Sequence, residues 1–322
     1  MSLVAEAPGF IQVFSNGTVK RFAPQTVPAS ASAEWSGVVS STTPTFKYKS
    51  KDVIIDSSKP ITARIFFPDV SASPRKLPLV VYFHGGGFCI GSTSWVGYHN
   101  FLAGLSAVAK AIVLSVDYRL APENKLPAAY DDCYAALRWL GSSQEPWLKQ
   151  ADLSRVFLSG DSAGGNIVHQ LAVKTLIAGE NVPGVVIGGL IPIHPYFGSR
   201  ARTELEQAAA SAEEVAMNDM FWKLSLPEGS DRDYDGCNFE KRAFPAAAEW
   251  RDFPAVMVFV AEGDFLKERG VMYAEFLRKK GVEKVRVVEA MGEQHVFHVW
   301  NPESEATFLL QEQICSFIHG CL

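Results

Sequence analysis

Apolar residues follow two alternating patterns along most of the chain, from about residue 60 onward. Continuous apolar runs rich in β-branched residues stand at 77–84, 110–118, 155–160, 184–193 and 255–264. Unbroken runs of this kind are typical of parallel strands covered on both faces. The stretches between them place apolar residues at helical spacing and end in glycine, as amphipathic helices do. The alternation predicts an α/β fold, with a mostly parallel central sheet and helices on both faces.

Four further segments depart from this alternation. The run 61–67 alternates only in part, which predicts an edge or half-buried strand, and two short apolar runs predict a hairpin at 10–22. The stretch 26–44 is rich in Ser, Ala, Thr and Pro, which predicts a mobile surface segment. Residues 198–250 are far longer than an ordinary connection between strands, so we expect them to form a helical cap or lid.

Composition limits the class of protein. The chain has 322 residues, 48% of them hydrophobic, which is enough for one large core, so we expect residues 1–322 to form a single domain. The net charge of −5 and the absence of a basic block argue against nucleic acid or an anionic membrane as partner. Five scattered cysteines without a Cys-x-x-Cys pair argue against a disulfide framework and a zinc site.

The pattern of charged and apolar residues gives an expectation for the location of the protein in the cell. The N-terminus has no basic stretch followed by a sustained apolar run, so we expect no signal peptide. The longest apolar run, 182–193, is too short to span a bilayer. A cytoplasmic protein is therefore expected, and both a monomer and a dimer remain open.

Ser162 stands in the sequence Gly160-Asp161-Ser162-Ala163-Gly164, directly after an apolar run and before a helix-like stretch. This strand–turn–helix context is the one that a nucleophile elbow requires. Glycines at both ends allow a sharp turn, and the helix N-terminus favours developing negative charge. The alternative is a glycine-rich turn without catalysis.

A second glycine-rich stretch, 84–87, has the sequence His-Gly-Gly-Gly and ends the apolar run 77–84. Three bare backbone positions allow N–H groups to point at a substrate oxygen, as in the oxyanion element of lipases and esterases. The expected donors are the N–H groups of Gly86, Gly87 and Ala163. A dinucleotide-binding loop is disfavoured, because Ile90 occupies the position of the third glycine of that fingerprint.

A nucleophilic serine needs a base, and His295 is the expected one. In a hydrolase with this order of motifs the acid and then the histidine follow the serine, and "MGEQHVFHVW" follows the last strand-like run. His298 is the alternative base. A metal site made of both histidines lacks a third ligand nearby, so no metal is expected. We expect His84 to orient the glycine loop through hydrogen bonds.

Asp264 is the expected acid of the site. It follows the apolar run 255–264 directly, where a carboxylate can fix the imidazole tautomer and stabilise its cation. Glu268, a turn into the following helix, is a weaker candidate. Asp264 is also suited to cap that helix, and this structural role stays open.

Several longer motifs carry a resemblance to a known family. They are "HGGGF", "DYRLAPENKLPAAYDD", "GDSAGGN", "FWKLSLPEGSDRD" and "GEQHVF", in this order. Together they resemble the plant-type carboxylesterases of the hormone-sensitive-lipase-like branch of the α/β-hydrolases, from about residue 10 to the C-terminus. The resemblance implies an α/β-hydrolase fold, and a lid formed by residues 1–25 together with the cap 198–250.

The resemblance also implies roles for matching positions. The triad positions are Ser162, Asp264 and His295. The loop and elbow positions that form the oxyanion hole are Gly85, Gly86, Gly87 and Ala163.

Relatives without hydrolytic activity offer alternatives. The gibberellin receptors resemble this chain throughout, but they have serine in place of Gly87 and lack the catalytic histidine. Other relatives are dehydratases or cyclases, some with threonine in place of the nucleophile. Ser162 and the unbroken glycine loop favour hydrolysis, while a hormone-like receptor with a dormant triad and a lyase or cyclase stay open.

The expected reaction is hydrolysis of a small to medium apolar ester through an acyl-enzyme, without a metal or organic cofactor. Aromatic side chains near the motifs are expected to bind the substrate, and Asp161 beside the nucleophile either shapes the pocket or fixes the turn. The expected substrate-binding residues are Phe88, Asp161, Phe197, Phe221 and Phe297, with Trp222 in the same aromatic group.

Overall fold

The computed structural model describes residues 2–37, 45–70, 75–242, 250 and 252–320. The strands are β1 Leu3–Ala7, β2 Ile11–Phe14, β3 Val19–Arg21, β4 Ala33–Ser36, β5 Thr45–Asp56, β6 Ile61–Pro68, β7 Leu77–Phe83, β8 Ile112–Asp117, β9 Ala151–Asp161, β10 Ile187–Ile193, β11 Ala255–Ala261 and β12 Val285–Ala290. The α-helices are α1 Val96–Ala109, α2 Ala128–Ser142, α3 Ala163–Ala172, α4 Glu204–Gln207, α5 Ala212–Ser225, α6 Lys267–Lys279, α7 Phe297–Trp300 and α8 Glu305–Ile318.

Within this described part, nine strands form one sheet in the order β12-β11-β10-β9-β7-β8-β6-β5-β4. Strands β7 to β12 are parallel to one another, and β6, β5 and β4 extend the sheet from β8 in antiparallel fashion. All residues of β7 are buried, which requires cover on both faces. Helix α1 packs against α8, and α2 packs against α3. The α/β sheet predicted from the continuous apolar runs is confirmed.

The prediction of an edge or half-buried strand at 61–67 is wrong about where the strand lies in the sheet. Strand β6 lies between β8 and β5 and is almost wholly buried. Its partial alternation comes from Arg64, which is 3% exposed yet fully paired. The guanidinium donates to both oxygens of Asp52, at 2.7 and 2.9 Å, and to Val27 O. A buried charge with such partners is tolerated inside a sheet.

Residues 26–37, the described part of the stretch 26–44, differ from the expected mobile surface segment. Strand β4 pairs with β5 at the edge of the sheet, and Trp35, 4% exposed, stacks on Phe308 with ring centroids 6.4 Å apart. Residues 38–44 lie outside the described residues. The buried ring of Trp35 attaches the described part of this stretch to α8, and the polar composition of the stretch did not indicate this contact.

The hairpin expected at 10–22 is confirmed as β2 and β3, which form a separate three-stranded sheet with β1. The predicted cap 198–250 contains α4 and α5, and its residues 243–249 lie outside the described residues. A buried ion pair of Arg269 on α6 with Glu206 on α4 attaches it to the main domain, with nitrogen–oxygen distances of 2.7 and 2.8 Å.

Candidate active site

Ser162 occupies the sharp turn between β9 and α3 with φ of 50° and ψ of −117°. A non-glycine residue in this region is strained, and the surrounding glycines allow it. A Cβ on Gly160 would lie 2.5 Å from Phe83 O, and one on Gly164 would lie 1.8 Å from the same atom. Strand β7 therefore passes so close to the turn that only glycine fits at either position, as the elbow motif predicts.

His295 lies on the loop between β12 and α7, and its ring links the side chains of Ser162, which follows β9, and Asp264, which follows β11. Its Nε2 is 3.1 Å from Ser162 Oγ, and its Nδ1 is 2.7 Å from Asp264 Oδ2. The other oxygen of Asp264 accepts a hydrogen bond from Leu266 N at 2.8 Å, ahead of helix α6. The catalytic and structural roles considered for Asp264 thus use different oxygens. Chemically, the imidazole is placed to take the serine proton while the carboxylate stabilises the cation.

Charge and burial shift the pKa values of Asp264 and His295 in opposite directions. Burial alone would raise the pKa of Asp264, but the charge and hydrogen bond of His295 outweigh it and hold that pKa below its usual value. Burial alone would lower the pKa of His295. The charge and hydrogen bond of Asp264 outweigh this effect, with Asp161 and Glu214 adding to them, so the pKa of His295 is raised above 6.5. The buried pair favours a carboxylate beside an imidazole that accepts a proton readily.

The alternatives considered for base and acid lie elsewhere. His298 packs in the core with its ring centroid 4.5 Å from that of Phe101, and its ring nitrogens have no hydrogen-bond partner among the described residues. Burial holds the pKa of His298 well below its usual value. Glu268 accepts a hydrogen bond from Leu205 N at 2.8 Å and so binds the cap to α6.

The glycine loop after β7 approaches Ser162 with two residues in the left-handed region. The φ values are 102° for Gly86 and 57° for Gly87, and both residues line the cavity in front of the serine. A Cβ would lie 2.3 Å from Ile90 O at the first position and 2.7 Å from Phe221 Cγ at the second. Bare backbone at both positions can present N–H groups to a substrate oxygen.

Gly85, which the resemblance places in the oxyanion hole as a loop position, has its N–H engaged within the protein. Its N–H donates to Tyr98 Oη at 2.9 Å and to Asp161 Oδ1 at 3.1 Å, so it is not free for an oxyanion. Asp161 is fully buried and also accepts hydrogen bonds from Tyr82 Oη at 2.7 Å and Tyr98 Oη at 2.9 Å. Burial raises its pKa. Asp161 therefore fixes the glycine loop against the elbow, and it also lines the cavity in front of Ser162.

His84, at the start of the glycine loop, lies in the position expected of an orienting residue. Its ring stacks on Tyr118, with centroids 4.4 Å apart, and its Nδ1 lies 2.8 Å from Gly85 O. Tyr118 Oη in turn donates to His84 O at 2.7 Å. The loop is thus held by side-chain and backbone contacts on both sides.

The end of β10 connects the elements that carry the three site residues. Ser162 N donates to Ile193 O at 2.9 Å, His194 N donates to Phe259 O of β11 at 2.8 Å, and Val296 N donates to His194 Nδ1 at 2.9 Å. His194 and Val296 have φ of 46° and 49°, so a hydrogen bond joins two strained residues. Burial lowers the pKa of His194 to about 3, which keeps the ring neutral and Nδ1 able to accept. Sequence reasoning assigned no role to His194.

A cavity of about 250 Å³ opens in front of Ser162. Phe221 and Asp161 line it, as expected. The other expected substrate-binding residues do not: Phe88 packs against Trp222 with centroids 5.7 Å apart, and Phe197 packs against Tyr273 at 4.8 Å. The apolar wall comes instead from residues that sequence reasoning missed, including Phe10, Ile90, Trp95, Met217, Phe265 and Trp300.

Phe297, which was also expected in the substrate pocket, lines a separate cavity that includes His194 and Leu310. Phe297 begins α7, directly after Val296 in the left-handed conformation, and its ring centroid lies 5.7 Å from that of His194. Of the five aromatic residues expected near the motifs, Phe221 alone lines the cavity in front of Ser162.

The N-terminal segment contributes directly to the cavity wall. Phe10 stacks on Trp95 with centroids 6.1 Å apart and meets Trp300 edge-on at 5.9 Å. Arg21 holds this segment down: it donates to Cys89 O at 2.7 Å, and it pairs with Glu123 at 2.6 and 2.7 Å. The sequence predicts the hairpin at 10–22 itself. No local pattern in the sequence indicates that this hairpin packs beside the cavity.

Comparison with known proteins extends these observations. The profile of the alpha/beta hydrolase fold matches residues 80–299. The chain is 36% identical to "Probable carboxylesterase 6" of Arabidopsis thaliana, over 98% of this chain and 92% of that protein. It is also 36% identical to "Tuliposide A-converting enzyme 1, chloroplastic" of Tulipa gesneriana, over 99% of this chain and 78% of that protein.

Solved structures agree with the sequence relatives. An esterase from Pyrobaculum calidifontis superposes with a TM-score of 0.72 at 28% identity, over 85% of each chain. Among the described residues, no helix has the length and apolar character that crossing a bilayer would require.

Proposed function

Because this chain belongs to the α/β-hydrolase family and is a carboxylesterase, we propose that Ser162, His295 and Asp264 form its catalytic triad. The observation that carries the proposal is the continuous hydrogen-bonded chain from Ser162 Oγ through both ring nitrogens of His295 to Asp264, at 3.1 and 2.7 Å. The strained elbow that exposes the serine supports the same assignment.

In the acylation half of the reaction, His295 Nε2 takes the proton of Ser162 as Oγ attacks the ester carbonyl carbon. Asp264 stabilises the imidazolium that forms. The negative charge on the carbonyl oxygen is stabilised by the N–H groups of Gly86, Gly87 and Ala163, and each donor is worth about 3–4 kcal/mol in known hydrolases. The imidazolium then protonates the leaving alcohol, and the acyl group stays on the serine.

In the deacylation half, His295 takes a proton from water, which attacks the acyl carbon. The second tetrahedral intermediate collapses, the proton returns to Ser162 Oγ, and the carboxylic acid leaves. The steps require a neutral imidazole at the start, and no metal or organic cofactor takes part. The mostly apolar lining of the cavity lowers the local polarity, and this strengthens the electrostatic interactions between the groups inside it.

The substrate that we propose is a small to medium ester with a mostly apolar body. A cavity of about 250 Å³ lined by aromatic and aliphatic side chains supports this size and character. We propose that the chain comes from a plant, because the named relatives are plant proteins, and that it is located in the cytoplasm. Relatives from tulip carry chloroplastic and amyloplastic names.

The proposal is tested with 4-nitrophenyl butyrate and the variant Ser162→Ala. Wild-type protein should release nitrophenol with a burst equal to the enzyme concentration if deacylation is slower, and a fluorophosphonate probe should label it. Ser162→Ala should lose the labelling and about 10⁴-fold or more in kcat. Hydrolysis that survives this substitution would refute the triad. Binding of small molecules without turnover would instead support the receptor, and a greater loss in His295→Ala than in Ser162→Ala would support a lyase.

A further inference from the structure

Two large apolar side chains at the opening of the cavity are exposed to solvent. Trp300, the last residue of α7, is 55% exposed, and Met217 on α5 is 41% exposed. Both also line the cavity in front of Ser162, so they lie where the cavity meets solvent. Exposed apolar surface beside a cavity is typical of a ligand-binding groove. The proposed mechanism gives neither side chain a role.

Trp300 is the outer end of a wall of three aromatic rings that line the cavity. The ring of Phe10 joins the other two, because it stacks on Trp95 with centroids 6.1 Å apart and meets Trp300 edge-on at 5.9 Å. The exposed fraction rises along this wall, from 9% at Trp95 to 55% at Trp300. The wall therefore leads from the interior of the cavity to its opening, and an aromatic ring of a substrate would extend it there.

The backbone segments that carry both side chains are held in place. Helix α7 packs so closely on α1 that a Cβ on Gly97 would collide with the carbonyl oxygen of Val299, directly before the tryptophan. On α5, Tyr196 Oη donates to the carbonyl oxygen of Asn218, the neighbour of Met217, at 2.9 Å. Two apolar surfaces on fixed elements bind a ligand at a lower entropic cost than surfaces on mobile loops.

An indole ring and a thioether both favour an aromatic partner. Contact between aromatic rings adds about two- to tenfold in affinity beyond the burial of apolar area. The sulfur of a methionine also contacts aromatic rings favourably. A saturated ring of similar size is buried equally well but gains neither interaction. The opening of the cavity is therefore suited to distinguish an aromatic ring from a saturated one.

We propose that Trp300 and Met217 form an outer subsite for an aromatic ring of the ester, carried at the end of a short chain that leads from the carbonyl group to the opening of the cavity. The inference rests on the proposed function, because the ring belongs to the substrate of the same triad. The outer subsite sets the substrate preference and takes no part in the steps that break and form bonds.

Pairs of esters that differ only in the ring test the proposal. On the alcohol side they are phenylalkyl and cyclohexylalkyl butyrates, and on the acyl side they are ethyl esters of phenylalkanoic and cyclohexylalkanoic acids. Each pair is made with one to four methylene groups before the ring, and ethyl butyrate is the reference without a ring. The measurement is kcat/KM from acid release in a pH-stat, for wild type, Trp300→Leu, Trp300→Phe and Met217→Ala. Leu309→Ala is the matched control, because Leu309 is 52% exposed but does not line this cavity.

The expected wild-type result is a phenyl-to-cyclohexyl ratio of kcat/KM of about threefold or more, at one chain length and on one side of the ester. Trp300→Leu should reduce this ratio to about one, and Trp300→Phe should retain it. Met217→Ala should lower it in part, and Leu309→Ala should leave it unchanged. Because the ratio does not depend on the amount of active enzyme, a variant that folds poorly does not imitate the loss of the outer subsite.

Three results would overturn the outer subsite. They are a wild-type ratio near one at every chain length, a ratio that Trp300→Leu leaves unchanged, and an equal fall in Leu309→Ala and Trp300→Leu. Hydrolysis of ethyl butyrate separates this failure from failure of the proposed function. That ester carries no ring, so its cleavage by wild type and the loss of cleavage in Ser162→Ala test the triad alone.

Discussion

Replacing His194 by leucine should impair catalysis, although no residue of the proposed triad is substituted. Leucine removes the acceptor of the Val296 N–H, which lies directly after His295 and has a strained backbone. Leaving a partly buried N–H without a partner costs about 1–3 kcal/mol, and the loop is expected to relax to recover part of it. At about 1.4 kcal/mol for each tenfold change, kcat/KM should fall about 10- to 100-fold.

His194→Asn is the matched variant. Its Oδ1 is attached through Cγ as Nδ1 of histidine is, so it can accept the same hydrogen bond, and asparagine tolerates the left-handed backbone. We expect His194→Asn to retain kcat within about threefold of wild type. The loss in His194→Leu should fall mainly on kcat and on the rate of fluorophosphonate labelling, because the cavity that sets KM is unchanged.

The measurement is a set of kcat and KM values with 4-nitrophenyl butyrate, together with the free energy of unfolding in urea for each variant. Stability separates a misplaced base from a partly unfolded enzyme. If both variants lose kcat equally while staying folded, the hydrogen bond to Val296 does not position His295. Wild-type kcat in His194→Leu would refute the reasoning outright.

Other predictions follow from the same geometry. The rate kcat/KM should fall as pH drops through a His295 pKa above 6.5, since the protonated ring cannot act as base; Asp264→Asn should shift this limb to lower pH and cost about 10³- to 10⁴-fold in kcat. Gly87→Ala should lower kcat about tenfold or more, because its Cβ would meet a cap-helix ring, whereas Gly17→Ala, with a similar φ and open space, should not. Arg21→Met should raise KM several-fold and speed proteolysis of the N-terminal segment, measured by initial rates and limited chymotrypsin digestion.

Much of the fold could be predicted because the parallel strands are long, apolar and regularly spaced. The elbow at Ser162 could be predicted because the closely passing strand requires glycine on both sides of the turn. Asp264 and His295 could be chosen as acid and base because the acid and then the histidine follow the serine along the chain. These features depend on local pattern. They are the part of a structure that a single sequence expresses most directly.

Side-chain direction could not be predicted in the same way. Phe88 follows the glycine loop, but its φ of 64° turns it into an aromatic cluster instead of the cavity. Phe10 reaches the cavity because it packs on Trp95, directly ahead of α1, and on Trp300 of α7, which are contacts between distant parts of the chain. His194 links the ends of β10 and β11 to the loop after β12. No local sequence pattern indicates that these three strand ends lie side by side.

The buried carboxylate of Asp161 has a consequence for how this site can change over evolutionary time. Its two oxygens join the elbow to Tyr82 on β7, to Tyr98 on α1 and to the backbone of Gly85. Loss of the carboxylate alone would leave two buried hydroxyl groups without their acceptor, so the two tyrosines and the aspartate should be exchanged as a set. Homologues that replace Asp161 are expected to carry compensating changes at positions 82 and 98, so that motifs almost eighty residues apart are inherited as one unit.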